Sequence, residues 1–262
     1  MLSPDAGTLT VWLADGTIQL MDPDGSGVRA ILAGHKGPIH NTPAWSPDGA
    51  LLATGGDGGW VSLWAPPKVV PVQERPQKGQ VGGLAWSPDG KTLAAGGDGV
   101  IRLWDRSLSD PSTLLQDKEM REPIHAVAWE RPPGKGLYSI GEDGVLRLWD
   151  VESGKVQRTS HPGTTTGVFS PDATRLASGS NPWTLRLWET ATGRPLGTVV
   201  RLNQGWFVLS EDGHYRCENK KVEDELVYVV RTDEGQKTLS PAEFAAQYGW
   251  KNDPEKARLD TR

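Results

Sequence analysis

Cysteine is nearly absent: Cys217 stands alone among 262 residues. A single thiol excludes a disulfide framework within the chain and any zinc site built on several cysteines, and it suits a reducing compartment. Long apolar runs are missing as well; none approaches the roughly 18 residues that a transmembrane helix needs. The opening Met1-Leu-Ser-Pro-Asp5 has no basic stretch followed by an apolar one, so no secretory signal is expected. Nor is there a basic excess. The chain has 28 Lys and Arg against 33 Asp and Glu, a formal charge of −5, which disfavours non-specific binding to nucleic acid. These absences leave a cytoplasmic protein, with neither membrane nor nucleic acid expected as partner.

What is abundant is tryptophan, glycine and proline. Trp supplies 12 aromatic residues against 4 Tyr and 3 Phe, and Gly and Pro number 32 and 20. Leu, Val and Ile are plentiful beside them, so disorder is excluded and a turn-rich all-β protein is expected. The turn residues fall at regular intervals. Ser-Pro-Asp recurs at Ser3, Ser46, Ser87 and Ser170, with Ser-Glu-Asp at Ser210, and a degenerate copy sits at Glu130-Arg131-Pro132. A second landmark, an apolar run ending in Trp, recurs at Trp64, Trp104, Trp149 and Trp188, with Met21 in the equivalent slot. Both landmarks keep a period of about 41 residues, the spacing of a repeat architecture.

Each period reads as four short strands. The third copy shows it: Val81–Trp86, a turn over Ser87-Pro-Asp-Gly90, Lys91–Ala95, a turn over Gly96-Gly-Asp-Gly99, Val100–Trp104, and a looser strand near Ser112–Leu115. The runs are apolar or β-branched and are bounded by turn residues whose backbone angles suit tight reversals. One such sheet cannot cover both of its faces, whereas several arranged radially can.

Ile101-Arg-Leu-Trp-Asp105, Leu146-Arg-Leu-Trp-Asp150 and Leu185-Arg-Leu-Trp-Glu189 resemble the Trp-Asp ending of the WD40-repeat family, in its bacterial form. Gly34-His35, with Ile39, Trp45 and Ser46-Pro-Asp-Gly49 after it, resembles that family's Gly-His opening. The resemblance implies an all-β WD40-type β-propeller with five recognisable blades, a degenerate sixth and a short C-terminal helix. It implies blades over residues 1–200, the first lacking its first strand, degenerate or closing strands over 201–238, and a capped helix and tail over 239–262. It further implies a hydrogen-bonded tetrad of His, Ser or Thr, Asp and Trp in each blade. The second copy offers His35, Thr54, Asp57 and Trp64; the fourth offers Ser139, Asp143 and Trp149 without the His. The third keeps Asp98 and Trp104 but has Ala95 for the hydroxyl, and the fifth keeps Ser178 and Trp188 with Pro182 in place of the Asp. Blades with partial tetrads are expected to be less rigid.

The two ends depart from the repeat. Trp206–Ser210 is a strand that could close the first blade from the far end of the chain, the other possibility being a piece of a longer protein. Glu225–Arg231 reads as a further strand. Ser240-Pro-Ala-Glu243 before Phe244–Gly249 carries the signals of a capped helix: Ser as N-cap, Pro in the first turn, Glu at the third position and Gly at the end.

The chain holds no motif that commits to catalysis. Asp22-Pro-Asp-Gly-Ser-Gly27 lacks the terminal Glu of a calcium loop, and the Gly-rich stretches at 55–59 and 96–99 lead into strands instead of the helix N-terminus of a phosphate cradle. The histidines at 35, 40, 125, 161 and 214 form no metal-binding pattern, and the nucleophile elbow of serine hydrolases is missing. No metal or cofactor is expected, and the chain is read as a non-enzyme. Arg102, Arg147 and Arg186 recur just before Leu-Trp, on the strand face opposite the flanking aliphatic residues, and pairing with a carboxylate of a neighbouring blade is their expected role.

Trp60 and Trp183 fall at the turn between second and third strands. In the family this turn shares an end of the propeller with the strand starts that carry His40 and His125, and Glu142 occupies the equivalent turn of the fourth blade. Tryptophan at a surface is enriched at binding hot spots. These five residues form the expected partner surface of a scaffold or adaptor for a protein or peptide. The alternative is a regulatory or docking C-terminal part of a larger bacterial protein with a protease-like or kinase-like domain upstream. A third reading is a propeller hydrolase with its active site in the channel mouth.

Overall fold

A computed structural model of the chain describes residues 1–13, 15–35, 38–39, 43–77, 79–109, 113–132, 135–160, 166–181, 183–232 and 235–257. They form two compact units, Met1–Leu176 with Thr190–Gly193, and Ala177–Glu189 with Arg194–Arg262.

The first unit is a series of antiparallel sheets in chain order. The first sheet has three strands, β1 (Leu9–Trp12), β2 (Ile18–Met21) and β3 (Val28–Leu32). A bridge joins Leu2 to Leu9 at the edge of this sheet. The second sheet comprises β4 (Ala44–Trp45), β5 (Leu52–Gly55), β6 (Trp60–Trp64) and β7 (Gln73–Pro76). The third comprises β8 (Gly83–Trp86), β9 (Thr92–Gly96), β10 (Ile101–Asp105) and β11 (Thr113–Leu115). The fourth comprises β12 (Ile124–Trp129), β13 (Gly136–Gly141), β14 (Leu146–Asp150) and β15 (Lys155–Ser160). Strand β16 (Thr166–Phe169) follows, with the Phe169 ring 6.2 Å from that of Tyr138.

The Ser-Pro-Asp turns explain why the hairpins close where they do. Ser46 donates its hydroxyl hydrogen to Asp48 at 2.6 Å and accepts the Leu51 N–H at 2.9 Å. Ser87 does the same with Asp89 and the Thr92 N–H, at 2.6 and 2.9 Å. One serine thus ties both ends of the turn, and a carboxylate orients it.

Sheets are held face to face by apolar side chains that alternate along each strand. Ile18, Leu20 and Leu32 of the first sheet meet Leu52 and Trp64 of the second. Ala53, Val61 and Leu63 of the second meet Val81, Leu93 and Trp104. Ala94, Ile101 and Leu103 of the third meet Ile124, Val127, Leu137 and Trp149. Every core is therefore shared between two sheets, so neither face of a sheet is stable without its neighbour. Close approach is set by glycine: a Cβ on Gly82 would lie 1.9 Å from the Ile124 carbonyl oxygen.

In the second unit β17 (Arg175–Asn181), β18 (Thr184–Glu189), β19 (Pro195–Leu202), β20 (Gly205–Leu209) and β21 (Tyr215–Cys217) lie side by side in that order. Of Trp206–Ser210, for which closure of the first blade was one possibility, β20 pairs with β19, Trp206 opposite Arg201, and β21 occupies its other edge. A two-residue link between β19 and β20 makes that hairpin the nearest available partner. Residues 220–239 form a short helix, α1 (Lys220–Asp224), and a separate hairpin of β22 (Tyr228–Thr232) with β23 (Gly235–Leu239). The strand expected over Glu225–Arg231 thus begins three residues later, because Glu225 caps α1.

The C-terminal helix α2 (Pro241–Tyr248) has the full capping box of Ser240 with Glu243 and ends at Gly249 with φ 65°. Beyond it Trp250 stacks on His214, 5.2 Å away, and meets Tyr228 and Phe244 edge-on. Asn252 both accepts from and donates to the Tyr215 backbone, at 2.9 Å each, and the Asp253 N–H donates to His214 Nδ1 at 3.0 Å.

Candidate functional site

The turns between second and third strands and the connections between sheets share one end of the first unit, joined by backbone hydrogen bonds. The Gln77 N–H donates to Gly59 at 2.7 Å, Val81 to Gly56 at 3.1 Å, Ile124 to Gly97 at 3.2 Å and Glu142 to Pro123 at 3.0 Å. A surface at this end stands on anchored backbone.

Trp60 opens β6 and is half-buried. His125, in β12, directs Nε2 to Glu142 Oε1 at 3.5 Å, both side chains partly exposed at 27% and 48%. The structure therefore brings these two expected site residues together as a pair. His40 lies outside the described residues. Trp183 is in the second unit, 60% exposed.

Beneath this end lie the tetrad positions. Trp64 Nε1 donates to Thr54 at 2.9 Å, Trp149 to Ser139 at 2.8 Å and, in the second unit, Trp188 to Ser178 at 2.7 Å. His35 lies beside the turn that holds Asp57, its Cε1 3.4 Å from where a Cβ on Gly56 would stand. The third blade differs. Trp104 pairs across from Leu93, which places Ala95 and Arg102 on the same face as its ring. With alanine at 95 the buried Trp104 Nε1 has no hydrogen-bond partner.

The recurrent arginines also part company. Arg147, 3% exposed, reaches Asp143 of its own turn at 2.6 Å and Asp117 of the connection from the third sheet at 3.1 Å. Burial works against the Asp117 charge, but hydrogen bonds from the Glu119 N–H and from Arg147 hold its carboxyl below the usual value. Among the described residues Arg102 makes no ion pair, and its buried Nε lacks a partner, against expectation. The Asp98 carboxylate, four residues before it, lies against Gly79, where a Cβ would collide with it. Arg186 is exposed on β18.

The sequence reading missed Gln77. It is 7% exposed; its Nε2 donates to the Ala95 carbonyl at 2.9 Å, and its Oε1 is buried without a partner. The available signal was the register: Arg75 lies opposite Val61 as Leu115 lies opposite Ile101, so Gln77 and Asp117 stand at the same place two residues on.

Other reactive groups are restrained. Burial, and then the Glu223 carboxylate, push the Cys217 thiol up to about 11, so at neutral pH it is not a thiolate nucleophile. Among the described residues no three His, Cys, Asp or Glu side chains converge as a metal site, and no helix is long and apolar enough to cross a membrane.

The family model described as "WD domain, G-beta repeat" matches residues 27–65, 70–105 and 154–189. Those three stretches are WD40 repeats. The matches run over β3–β6, β7–β10 and β15–β18, each ending at or just after the Trp that closes its last strand, while β13 and β14 between them carry the same Trp-to-Ser bond. A chain of a solved structure described as "Crystal Structure of Mitotic Checkpoint Complex" superposes with a TM-score of 0.65 at 21% identity, over 81% of this chain and 73% of that one. That likeness shows the fold, an all-β WD40 propeller. In all, 1580 solved chains match, and a fold so widely shared does not select one activity. Among curated proteins no match is found.

Proposed function

We propose that this WD40-repeat chain is a protein-interaction scaffold whose partner surface is the turn end of the second to fourth sheets, with Trp60, His125 and Glu142 as contact residues. The observation that carries the reading is the His125–Glu142 pair. It is a partly exposed pair of polar side chains on backbone that neighbouring sheets hold in place, and such preorganised groups bind without an ordering cost. Trp60 adds apolar area at the head of β6. Trp183, the most exposed tryptophan among the described residues, supplies a separate aromatic contact in the second unit.

The test is affinity capture with the full chain in its source cells, followed by quantitative binding of the isolated partner. Trp60→Ala, Glu142→Ala and Trp183→Ala should each weaken binding about tenfold or more, with thermal stability close to that of the parent. Wild-type affinity in all three variants would sink the assignment.

A further inference from the structure

One contact is repeated between consecutive sheets of the first unit. Leu52 stands opposite Trp64, Leu93 opposite Trp104 and Leu137 opposite Trp149, and all six are buried. Each such row is covered by two aliphatic residues, two apart on one strand of the preceding sheet. These are Ile18 and Leu20 on β2, Val61 and Leu63 on β6, and Ile101 and Leu103 on β10. The first sheet has the same row, Leu9 opposite Met21, with Leu2 continuing it on one side and Val28 on the other. It faces away from the second sheet, because the alternate residues Ile18, Leu20 and Leu32 face towards it. Here the row is open: Leu2 is 49% exposed, and Val28 and the neighbouring Ile31 are 50% exposed. No charged side chain stands in this row or in the next one, where Gln19 lies between Val11 and Ile31.

The covering half of the contact also has an open copy. Leu185 and Leu187 on β18, in the second unit, hold the places of Leu146 and Leu148 on β14, with Val199 opposite Leu185. Leu146 and Leu148 are buried, whereas Leu185 is 43% exposed and Leu187 is half-buried. We propose that the Leu9–Met21 face of the first sheet docks the Leu185–Leu187 face of a second copy of this chain. The occupant is read from the chain itself, which sets an aliphatic pair on such a row three times and keeps one open example of each half. Both faces are apolar, so joining them removes hydrocarbon from water, and contiguous exposed apolar surface marks an interaction site. Two different faces meet, so the contact is heterologous. Each partner keeps one open face, and growth stops only where a ring closes. The surface shares no residue with the turn end of the second to fourth sheets and goes beyond the scaffold reading.

The experiment is size-exclusion chromatography with light scattering on the full chain, at concentrations up to on the order of 100 µM, which fill a contact of micromolar Kd. The parent should show more than the mass of one chain. Ile31→Asp and Leu185→Asp each charge one of the two faces at an exposed position, so each should keep the parent's circular dichroism and run as a single chain. Mixed in equal amounts, the two variants should form a pair of chains that grows no further. The reason is that Ile31→Asp retains its β18 face and Leu185→Asp its first-sheet face. A variant whose circular dichroism departs from the parent's is replaced by Val28→Asp or Leu185→Glu, which charge the same faces. A parent at the mass of one chain throughout would overturn the proposal. So would either variant associating as the parent does, because one face would then be pairing with its own kind or with neither. A mixture in which the two variants stay single would overturn it as well.

Discussion

At the residue scale, the tetrad and turn serines set how firmly each blade is fastened. Trp104 shows both sides of this. Its ring is buried in the core shared by the second and third sheets, so Trp104→Ala should cost about 3–5 kcal/mol in denaturant unfolding. A loss below about 1 kcal/mol would mean that the core does not depend on this ring. Its Nε1, however, is an unmet donor. Ala95→Ser should restore the bond that Ser139 gives Trp149 and stabilise the chain by about 1 kcal/mol, measured as a shift in urea midpoint at constant slope. The turn aspartates govern behaviour in acid. The hydrogen bond from Ser46, then the Ala50 N–H and Arg106, lower the Asp48 carboxyl from its ordinary 3.8 to about 2. A depressed folded value means that the unfolded chain binds the proton first. The stabilisation is complete above the ordinary value and is lost as the pH falls through about 2. Asp172 behaves alike through Ser170 and Thr174. In Ser46→Ala the Asp48 titration, followed by carboxyl NMR, should move upward towards the ordinary value; an unchanged midpoint would assign the depression to the Ala50 N–H and Arg106 instead.

At the scale of elements, the local signals were read well where they were covalently near. Ser240, Pro241, Glu243 and Gly249 specified helix α2 to the residue, because every bond of a capping box lies within one turn. The partner of strand β20 was left open for the opposite reason. Its apolar pattern marks it as a strand, but which edge it joins depends on where other strands lie, and the short link to β19 decided it. The segment after α2 is fastened through side chains that no local pattern reveals: Trp250 on His214, and Asn252 on the Tyr215 backbone. Asn252→Ala should speed hydrogen exchange at the Tyr215 amide, which donates to Asn252, while leaving the amides of β9 and β13 unchanged. An unaltered rate at Tyr215 would show that the tail is held by the aromatic stack alone.

At the scale of the whole molecule, cores shared between sheets make stability a property of neighbours. Leu103→Ala removes volume from the core between the third and fourth sheets. It should cost about 2–5 kcal/mol and reduce exchange protection in β12 and β13 as well as in β10. Loss confined to the third sheet would contradict this coupling. The sequence alone determined the repeat, the four strands of the second to fourth sheets, the Ser-Pro-Asp turns, the Trp-Ser pairs and the capped helix. All of these rest on contacts within some ten residues, or on a pattern that recurs. It also marked His125 and Glu142 as residues of one end. Only the tertiary structure decided that they meet, that Arg147 is doubly paired while Arg102 is not, and that Gln77 stands where Asp117 does. Those outcomes turn on the direction of side chains arriving from a different strand or connection: at the same spacing from their arginines, Asp98 lies against Gly79 while Asp143 pairs with Arg147.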